Sequence, residues 1–393
     1  MKKFRFCLWL LPLGILLLSL NGCDKADEPQ RAARTVLAYI IADNSLSRYA
    51  PPDVDAMIEG LAVGDDALLN LLVYQDNYSE PPTLWKIEKR GRAKAEKVVI
   101  KEYAEQNSVD KTLMSSIIRE VFALYPADER GLILWSHGSG WIPSSNYAPQ
   151  KASASGPRRA FGQDGSNWLE LWDIRTVLAS AGVHFNFILF DACHMANVEV
   201  AYELRNCTDY LIASSAEIMG DGFPYESVIP LMNRQKLDLR EIGKAYMTYY
   251  DGSTDYLGGT ISVIRTQKLP ELAQLYATVL AVNTRTATEL QHAQIQEFGR
   301  WVSSTTSYRD YFFDMAQTVS AMTPEYIDAF NKLLEDIVVF EGHTPTFGFT
   351  LSGGEKFDIA SSCGLTVFIP ALNTAPKLQS AYGGLQWYEA VYK

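Results

Sequence analysis

The sequence predicts an α/β fold, a mostly parallel sheet with helices on both faces. Three observations carry this. Residues 185–190 (FNFILF), inside 183–193 (VHFNFILFDAC), form an apolar run broken only by Asn186 and preceded by Gly182. Residues 131–136 (GLILWS) form a second such run, and both read as strands buried on two faces. Around them, apolar runs alternate with segments of helical periodicity, the pattern of strands joined through helices. Sheets of this kind place their chemistry just beyond the carboxyl ends of the strands. At those ends stand Asp191 and Cys193 in one case and His137-Gly138-Ser139-Gly140 in the other.

In chain order, residues 1–22 read as a processing segment. Lys2, Lys3 and Arg5 make a basic start, residues 8–20 an apolar stretch too short to span a bilayer comfortably, and Leu20-Asn21-Gly22-Cys23 is similar to a bacterial lipobox with Cys23 lipidated. Secretion without a lipid is the alternative. Residues 23–34 form an acidic tether, and 35–393 the folded domain. Loss of the three cations takes the formal charge from −11 to −14. That balance argues against nucleic acid, which needs a basic stripe, and favours a cationic substrate. Cys193, Cys207 and Cys363 remain in the mature chain, an odd number for an exported protein, so at least one thiol stays unpaired.

Residues 35–42 (TVLAYIIA) are the first strand, 53–61 a helix, and 67–74 (ALLNLLVY) a second strand. Residues 83–88 and 98–103 alternate and suggest an edge hairpin. Asp110 opens an amphipathic helix that stops before Pro126. The stretch 140–167, rich in Ser, Gly, Pro, Ala and Asn, is a long loop with Lys151, Arg158 and Arg159 as its cations. A helix over 168–181, the strand ending at Cys193, a helix over 195–204 and a strand over 210–214 follow. Beyond the loop 218–225 (IMGDGFPY), helices over 225–232 and 239–250 precede a strand over 259–264. The rest is mostly helical to about residue 340, with a final strand over 364–369 (GLTVFI).

Cys193 is the leading chemical candidate. At the start of a helix, its thiolate would be favoured by orphan N–H groups and the helix dipole. His137 ends its strand in a glycine-rich turn, where the Gly138 N–H is placed to serve as an oxyanion donor. A structural role is the alternative for each. His194 adjoins Cys193 but points about 100° away, so it is a poor base. His184 reads as structural, as do Cys207 and Cys363. No His-Glu-x-x-His, paired Cys-x-x-Cys or EF-hand loop occurs, and no Gly-x-Ser-x-Gly elbow supports a serine hydrolase.

The residues Leu134-Trp135-Ser136-His137-Gly138 and Phe190-Asp191-Ala192-Cys193-His194-Met195 resemble the clostripain-like cysteine peptidases, relatives of caspases and gingipains. The likeness runs from Val36 through Gly220-Asp221-Gly222-Phe223-Pro224-Tyr225 to Pro370. It implies a caspase-like α/β/α sandwich with additional C-terminal helices and endopeptidase activity after Arg or Lys. It also implies a Cys193–His137 dyad, with the backbone N–H groups of Gly138 and Cys193 at the oxyanion. Asp191, on the nucleophile's side of its strand, is then the expected S1 acid and Asp221 the second candidate. Their alternatives are a helix-capping carboxylate and a solvated turn. Self-cleavage in the 140–167 loop is expected after Lys151, with Arg158 and Arg159 as alternatives. Calcium dependence occurs in the family, but no calcium site is assignable, no other cofactor is required, and the metal expectation is none. The expected setting is a bacterial envelope, with protein or peptide substrates and a membrane reached through Cys23. A catalytically silent lipoprotein binding glycan or protein through Trp135, Trp141, Trp168 and Trp172 is the rival reading.

Overall fold

The computed structural model describes residues 32–63, 68–91, 93–144, 161–253, 258–299, 302–303, 306–307, 311–348 and 356–393. The expectations for Cys23, Lys151, Arg158 and Arg159 therefore lie outside the described residues. The sheet grows from apolar runs that have no solvent face to offer. β1 (Arg34–Ala42) is buried at every position, and β2 (Leu69–Asn77), β5 (Glu129–Trp135), β8 (Phe185–Asp191) and β9 (Thr208–Ala213) are buried over most of their lengths. These five run parallel in the order β9-β8-β5-β1-β2.

Antiparallel strands close both sides. β3 (Glu80–Lys89) and β4 (Ala95–Glu102) form the expected edge hairpin beyond β2. On the other side stand β10 (Thr260–Arg265) and, outermost, the strand Val338–His343, which the sequence reading had left inside a helical region. That outer strand is half-buried throughout, so it lacks the unbroken apolar run that marks a central strand.

Helices α1 (Ala50–Val63), α5 (Tyr225–Met232) and α6 (Leu239–Asp251) pack together on one face of the sheet. Helices α2 (Lys111–Leu124), α3 (Leu171–Ala181), α4 (Val198–Leu204) and α7 (Leu269–Val282) make up the other layer, with the C-terminal helix Gln386–Tyr392 against α4 and α7. Asp110 caps α2 as expected, accepting the Leu113 N–H at 2.9 Å. Gly182, with φ of 69°, ends α3 in the left-handed conformation that glycine adopts without strain.

Three local expectations are corrected. The end of the 140–167 loop is not structureless: β6 (Phe161–Asp164) and β7 (Asn167–Leu169) form a small hairpin, so α3 starts only at Leu171. Helix α4 begins at Val198 rather than at 195, because Asn197 is extended and caps it by accepting the Val200 N–H. The final strand is shorter than the expected 364–369 and covers Thr366–Val367. Thr366–Val367 pair with Phe313–Asp314, and Thr366 also bridges to Asn197.

Candidate active site

Register builds the site. β5 and β8 are parallel neighbours with Trp135 opposite Asp191. Two residues further along each, His137 and Cys193 leave the sheet side by side. Both line a cavity of about 220 Å³ whose walls include Trp135, Gly138, Asp191, Ile218 and Gly222. A larger cleft, about 590 Å³, lies at the opposite ends of the strands between Asp209, Lys236 and Glu335; it contains no thiol or imidazole.

Gly138 is where the two strand ends meet. A Cβ there would lie 2.6 Å from the Cys193 carbonyl oxygen and 3.0 Å from the Cys193 nitrogen. Only glycine lets the two backbones approach so closely. The sequence reading gave this glycine the task of admitting a substrate carbonyl. Its structural task is to let the Cys193 backbone pass close against it.

The thiol is part-buried and in no disulfide. The Ile218 N–H reaches Cys193 Sγ at 3.4 Å, and the Ile218 carbonyl lies 3.8 Å from it. The expectation that Cys193 opens a helix is overturned: the capping turn at Asn197 separates it from α4, so the first N–H groups of that helix are satisfied elsewhere. The donor beside the sulfur comes instead from the loop after β9.

His137 is held by a residue that no motif announced. Ser45 Oγ, just beyond β1, lies 2.9 Å from His137 Nε2. The His137 carbonyl accepts the Gly162 N–H at 3.0 Å, so the β6–β7 hairpin braces the same turn. His194, as expected, is no base for Cys193. It is buried, stacks on Phe312 at 4.7 Å, and its Nδ1 faces the Ser215 carbonyl at 3.1 Å.

Asp191 forms part of the cavity floor. Its Oδ2 takes the Phe223 N–H at 3.1 Å and the Tyr225 hydroxyl at 2.8 Å. Burial pushes its carboxyl up to about 6, with those two hydrogen bonds pulling the other way. It does not cap the following helix, a task taken by Asn197. Asp221 is not among the cavity's lining residues; it points to Tyr249, whose hydroxyl donates to Asp221 Oδ2 at 2.9 Å. Of the four tryptophans of the binding-platform reading, Trp135 and Trp141 are buried, so they are wall and core rather than an exposed surface.

Cys207 and Cys363 are unpaired and absent from the cavity lining, and burial raises both thiols. Among the described residues, no group of three or more His, Cys, Asp or Glu side chains is placed to hold a metal ion.

Residues 38–392 match the sequence profile of the clostripain family. Clostripain of Hathewaya histolytica is 26% identical over 229 residues, a match spanning 52% of this chain and 43% of clostripain's length. An inactive zymogen C11 protease from Parabacteroides distasonis superposes with a TM-score of 0.78 at 34% identity, covering 93% of this chain and 99% of that one. A secreted C11 cysteine protease from Bacteroides thetaiotaomicron, solved with an irreversible peptide inhibitor, gives 0.76 at 30% identity, with 92% and 99% covered.

Proposed function

The chain belongs to the clostripain family of cysteine proteases, and from that premise we propose that it is an exported, lipid-anchored endopeptidase cleaving after Arg or Lys. The observation that carries the reading is one cavity holding a thiol, an imidazole and a carboxylate on its floor. Cys193 attacks the scissile carbonyl as thiolate. With Nε2 engaged by Ser45, His137 uses Nδ1 to protonate the leaving amine and then to activate water. The backbone N–H groups of Gly138 and Cys193 receive the oxyanion. Asp191 selects the basic P1 side chain, whose charge offsets that of a buried carboxylate.

Export and anchoring rest on the leader and Cys23, and the inhibitor-bound neighbour is described as secreted. No described helix is long and apolar enough to cross a membrane.

The enzyme is made as a zymogen and cuts itself after Lys151. One neighbour is described as an inactive zymogen. Both described ends of the loop are tied down, and one of them to the site: Ser144 bonds Glu170 before α3 through its N–H and hydroxyl, and Gly162 bonds the His137 carbonyl. Severing the chain between these anchors would relax the turn that carries the imidazole.

The test is intact mass after purification, together with labelling by an arginyl chloromethylketone. Wild type should split into two associated chains and label at Cys193. Cys193→Ala should stay whole and unlabelled until wild-type enzyme is added, which restores cleavage but not labelling. An unlabelled wild type would return the chain to the binding-protein reading. A fully active single chain would remove only the zymogen step.

A further inference from the structure

The cavity floor has a second acid behind it that the mechanism above does not use. Asp53, in the first turn of α1, is only 6% exposed, and its Oδ2 accepts the Trp135 indole N–H at 2.7 Å. It meets Asp191 at Gly222. A Cβ on Gly222 would stand 2.6 Å from Asp191 Oδ2 and 3.2 Å from Asp53 Oδ2, so the absent side chain is what lets both carboxyl groups converge on one point. The loop that brings Gly222 there turns through its φ of 59°, a conformation suited to glycine.

The other ionisable groups facing Asp53 are Asp221, beyond Gly222, and Tyr225, at the start of α5. Those facing Asp191 are Tyr225 and, from α6, Tyr246 and Tyr250. These are acids and phenols; the His137 imidazole, the Cys193 thiol and the Glu217 carboxyl line the same cavity as Asp191. Two buried carboxylates so placed do not both ionise at neutral pH; they titrate as a pair. The donors apportion the charge. Asp191 receives two hydrogen bonds at one oxygen, whereas Asp53 receives one from a neutral indole.

Building on the basic-P1 reading, we propose that Asp53 is a positioning residue for specificity. It holds the proton of the pair, leaves a single negative charge on Asp191, and releases that proton to solvent when a cationic P1 side chain enters. The O–H bond of the Asp53 carboxyl breaks, the proton leaves to buffer, and the incoming guanidinium or ammonium supplies the positive charge in its place. Burial first, and the Asp191 charge next, push Asp53 up to about 9, which sets the pH range to examine. A cation within a few ångströms favours ionisation of a carboxyl by about ten- to a thousandfold. Binding of a basic side chain should therefore strengthen as pH rises toward that range, and binding of a neutral one should not.

The experiment measures kcat/KM for two reporter peptides that differ only in arginine or its neutral isostere citrulline at P1, from pH 6.5 to 9.5. Taking the ratio cancels the titration of Cys193 and His137, which both substrates share. In wild type the arginine-to-citrulline ratio should rise by about tenfold or more across the range. In Asp53→Asn, which keeps an oxygen for the Trp135 N–H, the ratio should be flat within about twofold. A wild-type ratio that favours arginine but does not change with pH overturns the role of Asp53 and leaves the basic-P1 reading standing; this arm needs no variant to fold. A rise in Asp53→Asn equal to that of wild type overturns it as well. No preference for arginine at any pH overturns both.

Discussion

Replacing Asp191 by Asn tests the specificity assignment most directly, because the structure separates charge from fold at this position. Both donors to Asp191, the Phe223 N–H and the Tyr225 hydroxyl, aim at the same oxygen, Oδ2. An asparagine with its carbonyl oxygen in that place keeps both bonds and nearly the same volume. The fold should then survive, and removing a buried charge costs the native state nothing in hydration. What disappears is the Asp191 charge on the cavity floor, with Glu217 left as another carboxylate in the cavity lining and Asp53 behind the floor. Removing one partner of a buried ion pair costs about 3–5 kcal/mol, which is on the order of a hundred- to several thousandfold in kcat/KM and, with those two acids in place, the upper bound. The assay compares kcat/KM for matched peptides with Arg, Lys or a neutral residue at P1, normalised by active-site titration. Arg and Lys peptides should fall by up to that factor, while the neutral peptide changes by less than about threefold. Equal losses on all three would refute the reasoning and make Asp191 a structural carboxylate, with its bonds to the 223–225 turn as its main task.

Other expectations follow from single contacts. Gly138→Ala should abolish turnover and also lower thermal stability, since its Cβ would be driven into the Cys193 backbone only 2.6 Å away; normal kcat per folded molecule would mean that this close approach does not shape the site. Ser45→Ala should lower kcat by about tenfold with KM nearly unchanged, because it removes the hydrogen bond that orients His137; an unchanged kcat would end that role. His194→Ala should keep most of its kcat per folded molecule yet lose roughly 2–3 kcal/mol of stability, read by denaturant melts, because it empties a buried stack against Phe312. Glu199 is fully buried, and burial pushes it up to about 8. The folded state then keeps a proton that the unfolded chain has lost, so stability should decline as pH rises from about 4.5 to 8. Glu199→Gln should flatten that decline in Tm, and an identical slope in the variant would contradict it.

What could be read from the chain, and what could not, divides at the reach of local patterns. The central strands were legible because burial on both faces writes an unbroken apolar run, and α2 because Asp110 and Pro126 bracket an amphipathic period. Strand-end chemistry was legible for the same reason, since His137 and Cys193 each follow such a run directly. The outer strand Val338–His343 was missed because half-burial leaves no clean run. The short β6–β7 hairpin was missed because its composition matches the loop that contains it.

The sequence by itself determined the fold class and marked the candidate thiol, the candidate imidazole and the acid two residues before the thiol, because each is encoded within a few neighbouring residues. The tertiary structure decided everything that depends on distant segments meeting. Ser45 reaches His137 from the end of another strand, and the Ile218 N–H, rather than a helix start, attends the sulfur. Gly138 is a glycine because the Cys193 backbone passes against it. Asp53 is an acid in the first turn of a helix, a place where the helix dipole favours a carboxylate. Only packing of α1 over the ends of β5 and β8 buries it beside Asp191, and no spacing along the chain reports that burial.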